Sequence, residues 1–138
     1  EIKMDGVILT PVNQIRHPKG DIYHAMKKSD YGYEGFGEAY FSTVHKNSIK
    51  GWKKHRDMTL NLLVPIGEIE FVVYNEHLKE FFSVKISQNN YQRLTIKPNL
   101  WMAFKGLDEN NMLLNLSSIE HDPDEYENME LTSIPYEW

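Results

Sequence analysis

The run Lys50-Gly51-Trp52-Lys53-Lys54-His55 gathers three lysines and an imidazole, and it feeds into the apolar stretch Met58-Thr59-Leu60-Asn61-Leu62-Leu63-Val64-Pro65-Ile66-Gly67. An imidazole exchanges protons near neutral pH without special help, and ammonium groups hold anions or negative charge developing on oxygen. The chain as a whole is acidic, with a formal net charge of −5. A cationic island on that background suits a small anionic ligand better than a polymer, and a nucleic-acid partner, which needs a basic face, is disfavoured. The bland reading of the same residues is a solvated strand end whose lysines snorkel to water. Spacing alone leaves both open. Two amides join them, Asn61 within Leu60–Val64 and Asn115 within Met112–Leu116. A buried amide is costly unless hydrogen-bonded, so each either lines a polar cavity or bonds to backbone or to the other.

Short runs rich in β-branched and aromatic residues must position these groups. The pattern predicts strands over Gly6–Thr10, Asp21–Met26, Gly37–Val44, Met58–Val64, Glu68–Tyr74, Glu80–Ile86, Tyr91–Ile96 and Met112–Leu116, with Gly, Pro, Asn and Asp between them. Alternation puts Ile69, Phe71 and Val73 on one face and Phe82, Val84 and Ile86 on one face of the next strand. Helical periodicity is nowhere sustained; helical turns are expected only near Ser29–Asp30 and in the acidic tail around Asp124–Met129. Tyr31-Gly32-Tyr33-Glu34-Gly35-Phe36-Gly37 reads either as a lid or as an ordinary surface loop. With 138 residues, 41% of them hydrophobic, the chain predicts one all-β domain over residues 1–138, a sandwich or a barrel. A small barrel holds side chains or one small ligand. There is no cysteine, which removes disulfides and thiolate sites. No apolar run approaches the roughly 20 residues that span a bilayer, and no signal-like segment opens the chain. A cytoplasmic protein with no membrane partner is the expectation.

The succession of Pro18-Lys19-Gly20-Asp21, Lys50 to His55, Gly67 and Ile96-Lys97-Pro98-Asn99-Leu100-Trp101-Met102-Ala103-Phe104 resembles the cupin family of sugar-nucleotide enzymes. It is similar to the dTDP-4-dehydrorhamnose 3,5-epimerases and the smaller dTDP-4-keto-6-deoxyhexose 3,4-ketoisomerases of that family, from about Ile8 to Ile134-Pro135-Tyr136-Glu137-Trp138. In the epimerases the segment reads Arg-Gly-Leu-His-x-Gln. By position its arginine becomes Lys50, its base histidine Lys53 and its glutamine His55. A later lysine falls on Leu60, a later histidine on Met102, and the tyrosine acid near Asn115. The ketoisomerases carry His-x-His there, of which His55 survives opposite Lys53, and their upstream tyrosine matches Tyr40.

The resemblance implies a jelly-roll β-barrel, a homodimer, and a nucleotide-activated 4-keto sugar as ligand, in a pathway making surface polysaccharide. It implies epimerisation or keto-isomerisation by proton transfer, with no redox cofactor. The positions a metal-binding cupin fills with ligands hold Lys53, His55, Leu60 and Met102, so no catalytic metal is expected either. Such chemistry needs a base, a donor to the enolate oxygen and an acid. His55 or Lys53 can be the base, Lys53 or Lys50 can stabilise the enolate, and Tyr40 can return the proton. Lys50 is expected on the diphosphate. Trp52 and Trp101 either stack on the nucleotide or sugar or belong to the core. His121 either reaches the ligand or sits in a capped acidic turn, while His17, His24, His45 and His77 read as surface. The rival expectation is a cupin that kept its cavity, lost its base and only binds a sugar or nucleotide sugar. A third is a barrel that serves assembly alone.

Overall fold

The computed structural model describes residues 1–138. In chain order the strands are β1 (Ile2–Met4), β2 (Val7–Pro11), β3 (Gln14–Ile15), β4 (Ile22–Tyr23), β5 (Glu38–Thr43), β6 (Ile49–His55), β7 (Leu60–Ile66), β8 (Glu68–Asn75), β9 (Glu80–Ser87), β10 (Gln92–Ile96), β11 (Trp101–Gly106), β12 (Met112–Ser117) and β13 (Tyr126–Asn128). The one helical element is a 3-10 turn, Leu131–Ser133, and no helix is long and apolar enough to cross a membrane. One antiparallel sheet has the order β1-β2-β10-β7-β12-β5 and the other β13-β6-β11-β8-β9, with β3 and β4 as a separate ribbon. The two sheets face each other in the jelly-roll arrangement, as the all-β reading expects.

Period-2 alternation builds the core between the sheets. Leu60, Leu62 and Val64 of β7 meet Ile69, Phe71 and Val73 of β8, with Leu94 and Ile96 of β10 alongside. Burying one such side chain is worth roughly 1.5–3 kcal/mol. The turn from β7 to β8 requires Gly67, whose φ is +80° and where a Cβ would collide with the Asn110 carbonyl and the Asn111 amide. The outward faces of β7 and β10 carry polar residues that are also buried: Asn61, Arg93 and Thr95. Arg93, fully buried, donates to the carbonyls of Ala25 (2.9 Å) and Tyr31 (3.3 Å) and to Asp30 Oδ2 (3.2 Å). Asn61 Nδ2 donates to the Gly32 carbonyl at 3.1 Å, and Thr95 Oγ1 donates to Asn61 Oδ1 at 2.6 Å. These groups strap the segment before β5 onto the outside of the six-stranded sheet.

Several elements differ from the sequence reading. Asp21–Met26 contracts to the two residues of β4. Lys50–His55 lies inside a strand rather than at the mouth of one, and β11 is a strand the pattern did not reveal. The acidic tail around Asp124–Met129 is not helical: β13 pairs there with β6, Tyr126 opposite His55 and Asn128 opposite Lys53. Long-range pairing overrode local composition, and Lys54 neutralises Glu127 across the pair at 3.6 Å. Near Ser29–Asp30 the chain makes a turn closed by the Asp30 amide on the Lys27 carbonyl at 2.9 Å.

Candidate active site

A cavity of about 250 Å³ opens between the sheets. Strand β6 contributes Lys50, Gly51, Lys53 and His55, and β5 contributes Tyr40 and Ser42 from the other sheet. Asn115 and Leu113 of β12 and Leu60 and Leu62 of β7 close the back, with Met102 and Phe104 of β11 beside them. Strict alternation would turn Lys50 to the opposite face from Lys53. A β-bulge prevents this: Lys53 pairs with Met102 and Lys50 with Phe104, so Gly51 and Trp52 together stand against Ala103 alone. The extra residue returns Lys50 to the cavity side, in line with Lys53 and His55.

The cavity is cationic. Lys50 and Lys53 line it and no Asp or Glu does. Lys50 Nζ donates to Ser42 Oγ at 3.1 Å, bridging the two sheets. Lys53 Nζ lies 4.5 Å from the centroid of the Tyr126 ring, a cation–π contact that holds the ammonium without neutralising it. Tyr40 faces Asn115 directly across the β5–β12 pairing, and its hydroxyl accepts from Asn115 Nδ2 at 3.0 Å.

His55 has a buried partner. Glu125 is 3% exposed; its carboxylate accepts from His55 Nδ1 and from the amides of Asp57 (3.1 Å) and Met58 (3.2 Å). Burial alone would raise the Glu125 carboxyl, but the His55 hydrogen bond, the two amides and the charge of the imidazole outweigh it. The group therefore sits below its ordinary value. An ionised carboxylate only accepts, so Nδ1 carries a proton and Nε2 is the ring nitrogen left free for a ligand. Arg56 secures the turn before β13 through its guanidinium on the Asp124 carbonyl and its amide on the Glu125 carbonyl at 2.7 Å. An oriented imidazole, two unneutralised ammoniums and a phenol around one cavity can move a proton beside a bound anion.

The model of the FdtA family, described as WxcM-like, C-terminal, matches residues 5–131. The chain belongs to this family. Among solved structures, a dTDP sugar isomerase from Desulfovibrio desulfuricans G20 superposes on this FdtA-family chain with a TM-score of 0.91 at 30% identity, over 97% of this chain and 91% of that one. The 3,4-ketoisomerase QdtA from Thermoanaerobacterium thermosaccharolyticum, a mutant in complex with TDP-4-keto-6-deoxyglucose, gives 0.78 at 21% identity, over 89% of this chain and 87% of that one. The 3'-monoepimerase ChmJ from Streptomyces bikiniensis gives 0.88 at 12% identity, over 100% of this chain and 77% of that one. At those lower identities the likeness is one of fold. A comparison with curated proteins gives no match.

In this FdtA-family chain the structure brings Lys50, Lys53, His55, Tyr40 and Asn115 together around the cavity. Four other candidates lie elsewhere. Trp52 and Trp101 point to the outer face of the five-stranded sheet, where they pack with Val72, Ala103 and Ile134. Trp52 Nε1 donates there to the Leu131 carbonyl at 3.1 Å, so both are core residues under the C-terminal segment. Asn61 is on the outer face of the six-stranded sheet and spends its amide on Gly32 and Thr95. His121 is exposed and meets the site only through Tyr126, its ring 5.6 Å from the Tyr126 ring. The Tyr31–Gly37 segment contributes no residue to the cavity wall. His17, His24, His45 and His77 are exposed. Ser42, Glu125 and Tyr126 escaped the sequence reading. Nothing local separates Glu125 from its neighbours Asp122, Asp124 and Glu127; only the pairing of β13 with β6 singles it out.

Proposed function

We propose that this chain isomerises a nucleotide-linked 4-keto sugar by proton transfer, through epimerisation or keto-isomerisation, with dTDP as the nucleotide carried by its named relatives. The observation that carries this reading is the His55–Glu125 pair facing a cavity with two ammonium groups and no carboxylate. Lys50, braced by Ser42, takes the diphosphate. His55 Nε2 removes the proton from a carbon next to the ketone, and Lys53 meets the charge that moves onto the enolate oxygen. Tyr40, on the opposite wall, hands a proton to carbon. Returned to the same carbon on the other face, it gives the epimer; delivered to the former carbonyl carbon, while the proton of the neighbouring hydroxyl passes to the enolate oxygen so that this hydroxyl becomes the ketone and the old ketone a hydroxyl, it gives the keto-isomer. No three His, Cys, Asp or Glu side chains converge to hold a metal ion, so the mechanism assigns polarisation of the ketone to Lys53. We further assign the chain to surface-polysaccharide synthesis in the cytoplasm, as a homodimer. The test is incubation with dTDP-4-keto-6-deoxyglucose in heavy water, followed by proton NMR. Deuterium enters beside the carbonyl with the native chain and not with His55→Asn. Binding without any exchange would instead establish a non-catalytic carrier, and exchange unchanged in both His55→Asn and Lys53→Ala would remove the site assignment.

A further inference from the structure

We infer that Asn115 is a positioning residue that fixes the direction of the Tyr40 hydrogen bond, turning the phenol proton toward the substrate. Asn115 is 1% exposed and lines the cavity. Its Nδ2 donates to Tyr40 Oη and to Ser117 Oγ, each at 3.0 Å. Both amide protons are thereby used, and the Tyr40 oxygen accepts. A phenol has one proton; with Asn115 acting as donor, that proton is free to point into the cavity.

The amide's orientation has a physical reason. Asn115 Oδ1 is buried without a partner. Turning the amide over would instead strand two N–H protons, and a buried donor is tolerated less well than an under-satisfied carbonyl oxygen. The observed orientation therefore leaves the smaller deficit. Register adds to this. Tyr40 and Asn115 are direct partners across β5 and β12, and Ser117, two residues on, shares the face of Asn115. The contact is fixed by the sheet and not by a loop. Tyr40 is 45% exposed, so without Asn115 its hydroxyl direction would be left to solvent.

The inference rests on the isomerase reading and is tested by Asn115→Asp, which exchanges one amide nitrogen for oxygen at constant shape. An ionised Asp at this position can only accept; it draws the Tyr40 proton to itself and away from the substrate. General acid catalysis contributes about 10²–10⁴-fold, so kcat for isomerisation falls roughly 10²-fold, with KM changed by less than about threefold. The ratio of variant to native kcat rises as pH is lowered and the new carboxyl protonates, a trend that simple loss of structure does not produce. In the Tyr40→Phe background the substitution has no further effect, because the proton it misdirects is gone. If Asn115→Asp does not melt cooperatively, Asn115→Ser, which keeps a hydroxyl but not a fixed direction, is read through the same cycle. A native chain that turns over, beside an Asn115 variant within about threefold of it at every pH or losses that add to Tyr40→Phe, overturns the role given to Asn115. A native chain inactive on every dTDP-, UDP- and GDP-keto sugar overturns the isomerase reading and this role with it.

Discussion

Replacing Glu125 by Gln isolates what the buried carboxylate does for His55. The glutamine carbonyl can still accept from the Asp57 and Met58 amides, which lie at 3.1 and 3.2 Å from the carboxylate oxygen now. Its NH₂ then faces His55 Nδ1, and two donors cannot bond. The imidazole resolves this by moving its proton to Nε2, so the nitrogen offered to the ligand is no longer a base. A positioned general base is worth about 10²–10⁴ in rate, or roughly 3–5 kcal/mol at 1.36 kcal/mol per decade. The stability change is smaller: one charge-assisted hydrogen bond, about 1.5–3 kcal/mol, is exchanged for a neutral one of about 1 kcal/mol. Glu125→Ala, by contrast, leaves the imidazole and two amides unpaired, and removing one partner of a buried pair costs about 3–5 kcal/mol. Heavy-water exchange measured by NMR gives kcat and KM, and thermal melting gives stability. The expected pattern is kcat down at least about 10²-fold, KM nearly constant, and a cooperative melt retained. A folded Glu125→Gln variant with kcat within about threefold of native would refute the tautomer argument outright.

Lys50→Met should raise KM for the nucleotide sugar about tenfold while sparing kcat, and should flatten the salt dependence of binding; titration of the nucleoside diphosphate alone by calorimetry checks it. Trp52→Phe removes the bond to the Leu131 carbonyl and fills less of the outer cluster. It should lower stability by about 1–3 kcal/mol in urea and leave KM and kcat unchanged, because the ring points away from the cavity. The Glu125 carboxyl is held below its ordinary value of 4.5 in the folded chain. Its stabilisation is therefore complete above the unfolded carboxyl's titration and is lost as pH falls through the lower native value. Urea midpoints at pH 7 and below pH 4 should diverge less in Glu125→Gln than in the native chain, and an equal divergence would assign the acid sensitivity to other groups.

The sheets were legible because alternation survives wherever one face is apolar and the other wet: Ile69, Phe71 and Val73 announce their strand, and so do Phe82, Val84 and Ile86. Strand β6 was not, for two physical reasons. Its cavity face is built of lysines and histidine, so both faces look polar, and its bulge shifts the alternation partway along. Strand β13 was opaque because a tripeptide, Tyr126-Glu127-Asn128, set in an acidic run becomes a strand only when β6 offers its backbone. The tryptophans misled in the opposite sense, since aromatic residues next to lysines can as easily pack behind a site as within it. Asn61 and Asn115 are the sharpest case. Both are amides in apolar strands, yet one straps a loop outside the barrel and the other lines the cavity. The difference is which side of the pleat each occupies, and that needed the register.

One histidine out of six carries the proposed chemistry because only the fold gives it a buried partner. Each of the other five is exposed and none meets a buried carboxylate; His17 Nδ1 only accepts from the Lys19 amide, at 3.0 Å. His55 alone meets a buried acidic side chain, and that partner comes from 70 residues further on. Since Glu125 also accepts from the Asp57 and Met58 amides, it cannot leave His55 without stranding backbone donors, so the orientation of the imidazole is enforced by the folding of β13 onto β6. A motif written along the chain records Lys50, Lys53 and His55 but cannot record this constraint. Substitutions that loosen β13, such as Arg56→Ala, should therefore lower kcat without touching any group in the cavity wall, and restoring β13 order by bound nucleotide should recover part of the loss.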